Sequence, residues 1–179
     1  MIKKFDEFIK ESSYGNDRFT STSTEDFGVS EPKEALKLIR AIGEDNENET
    51  EKIMGEKKSV FIMNCTADFV EYLRGIVISE NEENFYFVDS IGNTNEMQHI
   101  LEENSDKNIV LSPEATSFMI GDRTGVSMLK DITDYTAVRG NLGLHLDKKI
   151  IILSENTYDG LRKLHIDPLL VRSYVFELE

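Results

Sequence analysis

Apolar positions along this chain fall into two rhythms. Short continuous runs, VFIM at 60–63, IVI at 76–78, FYFV at 85–88, IVL at 109–111 and IIIL at 150–153, are rich in β-branched and aromatic residues. Polar or glycine punctuation closes each run, which predicts strands with a covered face. Between them, apolar residues recur at helical spacing. Strands alternating with helices predict an α/β fold, a mixed sheet with helices on at least one face.

The helical segments carry their own start and stop signals. In residues 31–42, Ser30 can cap, Pro32 occupies the first turn, and Ala35, Leu38, Ile39 and Ile42 form a stripe that Gly43 ends. Residues 43–58 are acidic to mixed and predict a solvated loop with a short helical piece around Ile53. After the strand at 59–63, Thr66 caps a helix with Asp68 in its first turn, ending near Gly75; one long strand running to Ser79 is the alternative. Residues 76–79 and 84–89 then predict a hairpin across residues 81–83. Asn93 with Glu96 makes a capping box for a helix through Met97, Ile100 and Leu101. Ser112 and Pro113 open a helix that Gly121 stops, GDRTG at 121–125 reads as a loop without the lysine of a P-loop, and residues 126–132 predict a further helix. RGNLGLHLD at 139–147 reads as loop or hairpin. Ser154 is the expected cap of a helix through Tyr158, Leu161 and Leu164 that Pro168 breaks, and 171–176 is the last expected strand.

The N-terminal thirty residues differ from this body. In MIKKFDEFIKE, Ile2, Phe5, Phe8 and Ile9 share one side of a short amphipathic helix. A helix so short is marginal alone and needs a surface to dock on. Residues 12–30 are rich in Ser, Thr, Asp and Gly, which predicts a flexible tether. The expected organisation is a leader helix at 1–11, a linker at 12–30 and a single acidic α/β domain at 31–179, with the helix at 31–42, the acidic loop at 43–58 and the core at 59–179.

The residues Lys3, Lys4, Phe5, Glu7, Phe8, Ile9 and Glu11 give this opening a specific look. It resembles the capsid-targeting leaders of internal proteins packaged by T-even-type tailed phages. The resemblance covers only the first eleven positions. It implies that the apolar face of the leader binds the scaffold core of an assembling phage head, and that Ile9-Lys10-Glu11 is a prohead-protease site cut after Glu11. A first helix that packs on its own body is the plain alternative.

Charge narrows the partners. The formal net charge is −14 at pH 7, so a nucleic-acid backbone is repelled and direct nucleic-acid binding is disfavoured. An acidic surface facing a basic protein, as an injected inhibitor or a nucleic-acid mimic, is the expectation that fits. The single cysteine, Cys65, excludes an intramolecular disulfide and points to a reducing compartment, the virion interior or the host cytoplasm. No apolar run reaches membrane-spanning length, Asp6 and Glu7 interrupt any secretory signal, and nothing calls for a cofactor.

Candidate chemistry belongs beyond the carboxyl ends of the strands. The polar residues expected there are Asn64, Cys65, Asp89, Ser90, Ser112, Glu114, Ser154, Glu155 and Asn156, each of which also has a local role as cap or turn residue. Cys65, His145 and Asn156 occur in the order of a papain-type thiol hydrolase, but without the glycine-rich surroundings of that nucleophile. His99 and His165 fall on helices with no second ligand at zinc spacing. The leading expectation is therefore a phage internal protein whose acidic body binds another protein. A small thiol hydrolase using Cys65 and His145, or a minor structural or scaffold component of the head, are the alternatives.

Overall fold

The computed structural model describes residues 32–133, 148–164, 166, 170 and 173–179. Within them five strands form one sheet: β1 (Ser59–Met63), β2 (Phe85–Val88), β3 (Asn108–Leu111), β4 (Ile150–Leu153) and β5 (Tyr174–Glu177), lying side by side as β2-β3-β4-β1-β5. Every ladder is parallel. The helices are α1 (Pro32–Gly43), α2 (Glu47–Met54), α3 (Ala67–Tyr72), α4 (Thr94–Glu103), α5 (Pro113–Ile120), α6 (Arg123–Thr133) and α7 (Tyr158–Arg162). The expected α/β class stands, with helices on both faces.

Handedness decides which face each helix takes. From β1 the chain passes back over β4 and β3 to reach β2, whereas from β2 onward it steps the other way. Right-handed crossovers therefore put the first excursion on one face and the later ones on the other. The apolar clusters agree with this. Phe69 of α3 and then Leu73, Val77 and Ile78 pack with α1 against Val60, Ile62, Ile151 and Leu153. Residues of α4 to α7, among them Met97, Leu101, Met119, Leu129 and Leu161, pack against Phe61, Met63, Ile150 and Ile152. Strands β1, β3 and β4 are buried at every position, as expected for parallel strands sandwiched between helices.

Several local expectations are met. Thr66 caps α3 by accepting from the Phe69 amide (3.1 Å), Asn93 caps α4 by accepting from Glu96 (2.9 Å), and Ser112 caps α5 by accepting from Ala115 (3.1 Å). Others are corrected. No hairpin spans residues 81–83, because residues 73–78 continue α3 as a wide helical turn and 79–84 tighten into a 3-10 turn. The run at 76–78 belongs to a four-residue rhythm with Phe69 and Leu73, which helix satisfies and an exposed hairpin would waste. The long strand to Ser79 is likewise absent. Residues 47–54 form a full helix capped by Asn46 rather than a loop with a short helical piece, because Thr50 and Met54 are buried against the body. Residues 123–125 open α6 instead of lying in a loop.

Thr157, not Ser154, caps α7, by accepting from the Gly160 amide (3.3 Å). Ser154 instead accepts from the Asn156 amide (3.2 Å) in the preceding turn. The last strand is Tyr174–Glu177, starting later than expected. The leader and tether at 1–30, the expected loop at 139–147 with His145, and His165 lie outside the described residues.

One packing contact is testable directly. Gly125 of α6 is buried, and a Cβ there would collide with the Met119 carbonyl oxygen of α5. Gly125→Ala is expected to lose about 1–3 kcal/mol to overpacking, outweighing any gain in helix propensity. Gly75→Ala, whose Cβ meets open space, should be neutral or stabilising by about 0.4–1 kcal/mol. Urea unfolding midpoints of the two variants check the pair.

Candidate functional site

Adjacent strands β1 and β4 send their helices to opposite faces, which makes their carboxyl ends the point where the winding reverses. That is the position where open parallel sheets hold ligands. A cleft of about 560 Å³ lies there, between α3 and α5. Thr66, Val70, Glu71 and Arg74 line one wall, Ser112, Glu114 and Ser117 the other, and Phe87, Asp89, Cys65 and Glu155 close the ends. Five residues expected from sequence thus meet in one place: Cys65, Asp89, Ser112, Glu114 and Glu155.

Each is positioned by the turn that follows its strand. Ser112 ties two strand ends together, because its amide donates to the Val88 carbonyl (3.0 Å) and its hydroxyl to the Asp89 carbonyl (2.5 Å). Asp89 is thereby held where it receives the Arg74 guanidinium in a two-point bond, with Nη2 at 2.7 Å from Oδ2. The same guanidinium lies 4.6 Å from the centroid of the Phe87 ring. Fork and ring together are the geometry that arginine, and not lysine, satisfies. Both partners of the pair are about half exposed, so the pair orients the wall more than it stabilises the fold. Four carboxylates, Glu71, Asp89, Glu114 and Glu155, and one guanidinium, that of Arg74, thus line this cleft.

Cys65 is here in a different capacity from the one its residue type allows. It is buried, its thiol donates to the Ile62 carbonyl (3.3 Å), and its amide donates to the Ser154 carbonyl (2.9 Å). Burial pushes the thiol up to about 12, against which the backbone bond to Ser154 is a weak counterweight. A thiol so placed stays protonated at neutral pH and behaves as a small apolar residue. Its proposed partner His145 is not among the described residues.

Asn64 and Asn156 stand apart from the cleft's chemistry. Asn64 adopts a left-handed conformation (φ 58), which asparagine tolerates better than most residues, and its side chain donates to the Leu178 carbonyl (2.7 Å). Its amide donates to the Asn156 carbonyl (2.9 Å). The two asparagines clasp the ends of β1, β4 and β5. His99 is exposed on α4 near Glu102. Among the described residues no three His, Cys, Asp or Glu side chains converge as a metal site, and no helix is long and apolar enough to cross a membrane.

Arg74, Phe87 and Glu71 were not anticipated. The signal was present in the crossover rule: once residues 66–75 follow the first strand as a helix, its first turns must overhang the strand ends. No protein-family model matches this chain, and no curated protein or solved structure matches it. The fold and cleft define it as a doubly wound α/β protein whose sheet is parallel throughout the described residues, with an acidic switch-point cleft.

The state of Cys65 is open to measurement. Alkylation by iodoacetamide at pH 7.5 is expected to be slower in the folded protein than in urea by well over tenfold, since burial pushes the folded thiol up from its usual 9.0 to about 12. Equal rates in the two states would return Cys65 to the list of nucleophiles.

Proposed function

We propose that this protein acts by binding, its switch-point cleft receiving a basic segment of another protein. More specifically, it is read as an internal protein of a tailed phage, carried into the head by its leader and holding a host or phage partner through its acidic body. The observation that carries the binding half is the four-to-one excess of carboxylates over cations in the cleft. Like charges gathered around one concave surface raise its negative potential and favour a cationic partner, in on-rate above all. The apolar stem of such a segment has Val70 and the Phe87 ring to lie against. The packaging half is supported by the residues of the opening stretch, Ile2, Phe5, Phe8, Ile9 and Glu11.

Two experiments test the halves separately. Calorimetry with Arg-rich and Lys-rich peptides should give binding that weakens as NaCl rises. The Glu71→Gln, Glu114→Gln, Glu155→Gln triple variant should lose about 1–2 kcal/mol, the sum of partly exposed charge pairs. Salt-insensitive binding, or none, would sink the acidic-cleft reading. Incubation of the full chain with a T-even-type prohead protease should yield a new N-terminus at Ser12. An intact leader would remove the packaging half, and a copy number in purified heads matching a shell component would favour a structural role instead.

A further inference from the structure

A second hollow, of about 440 Å³, opens at the other end of the sheet beneath α2. Its floor is set by strand register. Ser59 pairs with Ile150, and the Ile150 amide donates to the Lys58 carbonyl (3.0 Å), so Lys58 and Lys149 stand abreast one step earlier on adjacent parallel strands. Cross-strand neighbours share a face. Ile150 faces the α4 to α7 side, which turns both lysines the other way, into the hollow with Ile42, Thr50 and Glu51. Lys149 is fixed at its backbone: its amide donates to the Asn108 side-chain oxygen (2.9 Å), and its carbonyl accepts from the Ile109 amide (3.0 Å).

Two ammonium groups side by side and partly withdrawn from water oppose folding. The arrangement could have been neutralised locally, as it is for Lys148, whose ammonium meets Asp45 at 3.1 Å. No such ion pair reaches Lys58 or Lys149 among the described residues. Burial pushes the Lys149 amine below the ordinary lysine value, and the neighbouring Lys58 charge pushes the same way. Glu47 and Glu51 of α2 pull against this without reversing it, and Asp45 and Glu56 complete the charged lining. A half-buried amine standing beside a second lysine, open to a hollow and with its pKa lowered, has the attributes of a carbonyl-capturing lysine.

We propose that Lys149 captures the carbonyl carbon of a small 2-oxo acid in this hollow, with the Lys58 ammonium holding the ligand's carboxylate. In its deprotonated form Lys149 Nζ bonds to the carbonyl carbon, the carbonyl oxygen takes up a proton, and the nitrogen gives one to solvent. Loss of water from that carbinolamine leaves an imine, so no oxidant or reductant is consumed. The site is independent of the acidic cleft, and either can fail without the other.

Glyoxylate with sodium cyanoborohydride at pH 7.5, applied to the full chain and mapped by peptide mass spectrometry, reads the site directly. Lys149 should carry more adduct than any other lysine, exposed Lys52 and Lys163 included, and should lose that preference when acetaldehyde, which has no carboxylate, replaces glyoxylate. Lys58→Met should lower the adduct at Lys149, and Lys149→Arg should abolish it. Adduct distributed by exposure, or a Lys149 adduct indifferent to both the carboxylate and Lys58, would overturn the proposal. The wild-type map decides the matter even where a variant fails to fold.

Discussion

Strand β1 is hydrogen-bonded along both edges while both of its faces are roofed by helices, and the rest of the molecule follows from that constraint. Val60, Phe61 and Ile62 are fully buried, alternating between the two apolar clusters. A strand so enclosed can offer no backbone group to water, so its N–H and C=O groups must be met by β4 and β5. The only polar side chain buried in it, Ser59, shares a hydrogen bond of 2.8 Å with Ser173 beside β5. Placing β1 inside the sheet forces the chain to leave it in one direction and later pass it in the other.

That reversal is what creates the cleft. If all excursions ran the same way, the helices would close over the strand ends uniformly. Because α3 lies over one face of the sheet and α5 over the other, a gap opens between them above the strand ends, while the turns after β1 and β4 stay bonded to each other beneath it. Parallel pairing then concentrates chemistry, since every strand ends on the same side. Asp89, Ser112 and Glu155 come from three different strand ends and converge without any of them being close in sequence.

How much of this was readable beforehand depends on the range of the interactions involved. Three caps were readable because they are local: Thr66, Asn93 and Ser112 bond to amides three residues on, whereas at α7 side-chain type did not separate Ser154 from the true cap, Thr157. The location of the cleft was readable because strand ends are local too. The hairpin at 76–89 misled because IVI at 76–78 is short, and a short apolar run does not declare its period. Which strands pair is a matter of contacts far apart in sequence, so nothing in residues 59–63 says that β4 and β5, rather than β2, will flank them. The Arg74–Asp89 pair was hidden for the same reason. It needs both the helix after β1 and the turn after β2, and their meeting is a property of the winding.

The same winding keeps the two hollows electrostatically apart. A strand of four or five residues is roughly 13–17 Å long at about 3.3 Å per residue. Charges that far apart interact by roughly 1 kcal/mol at an effective dielectric of about 20. Salt at physiological strength, with a Debye length of about 8 Å, reduces this to a few tenths of a kcal/mol between exposed groups. The carboxylates at the carboxyl ends therefore do little to Lys149 at the amino ends, and the direction of its shift is set locally, by its own partial burial first and then by Lys58, Glu47 and Glu51. An acidic protein can on this account hold a lysine whose pKa is lowered by its own surroundings. Net charge governs what approaches from a distance, while strand register governs the pair of amines inside.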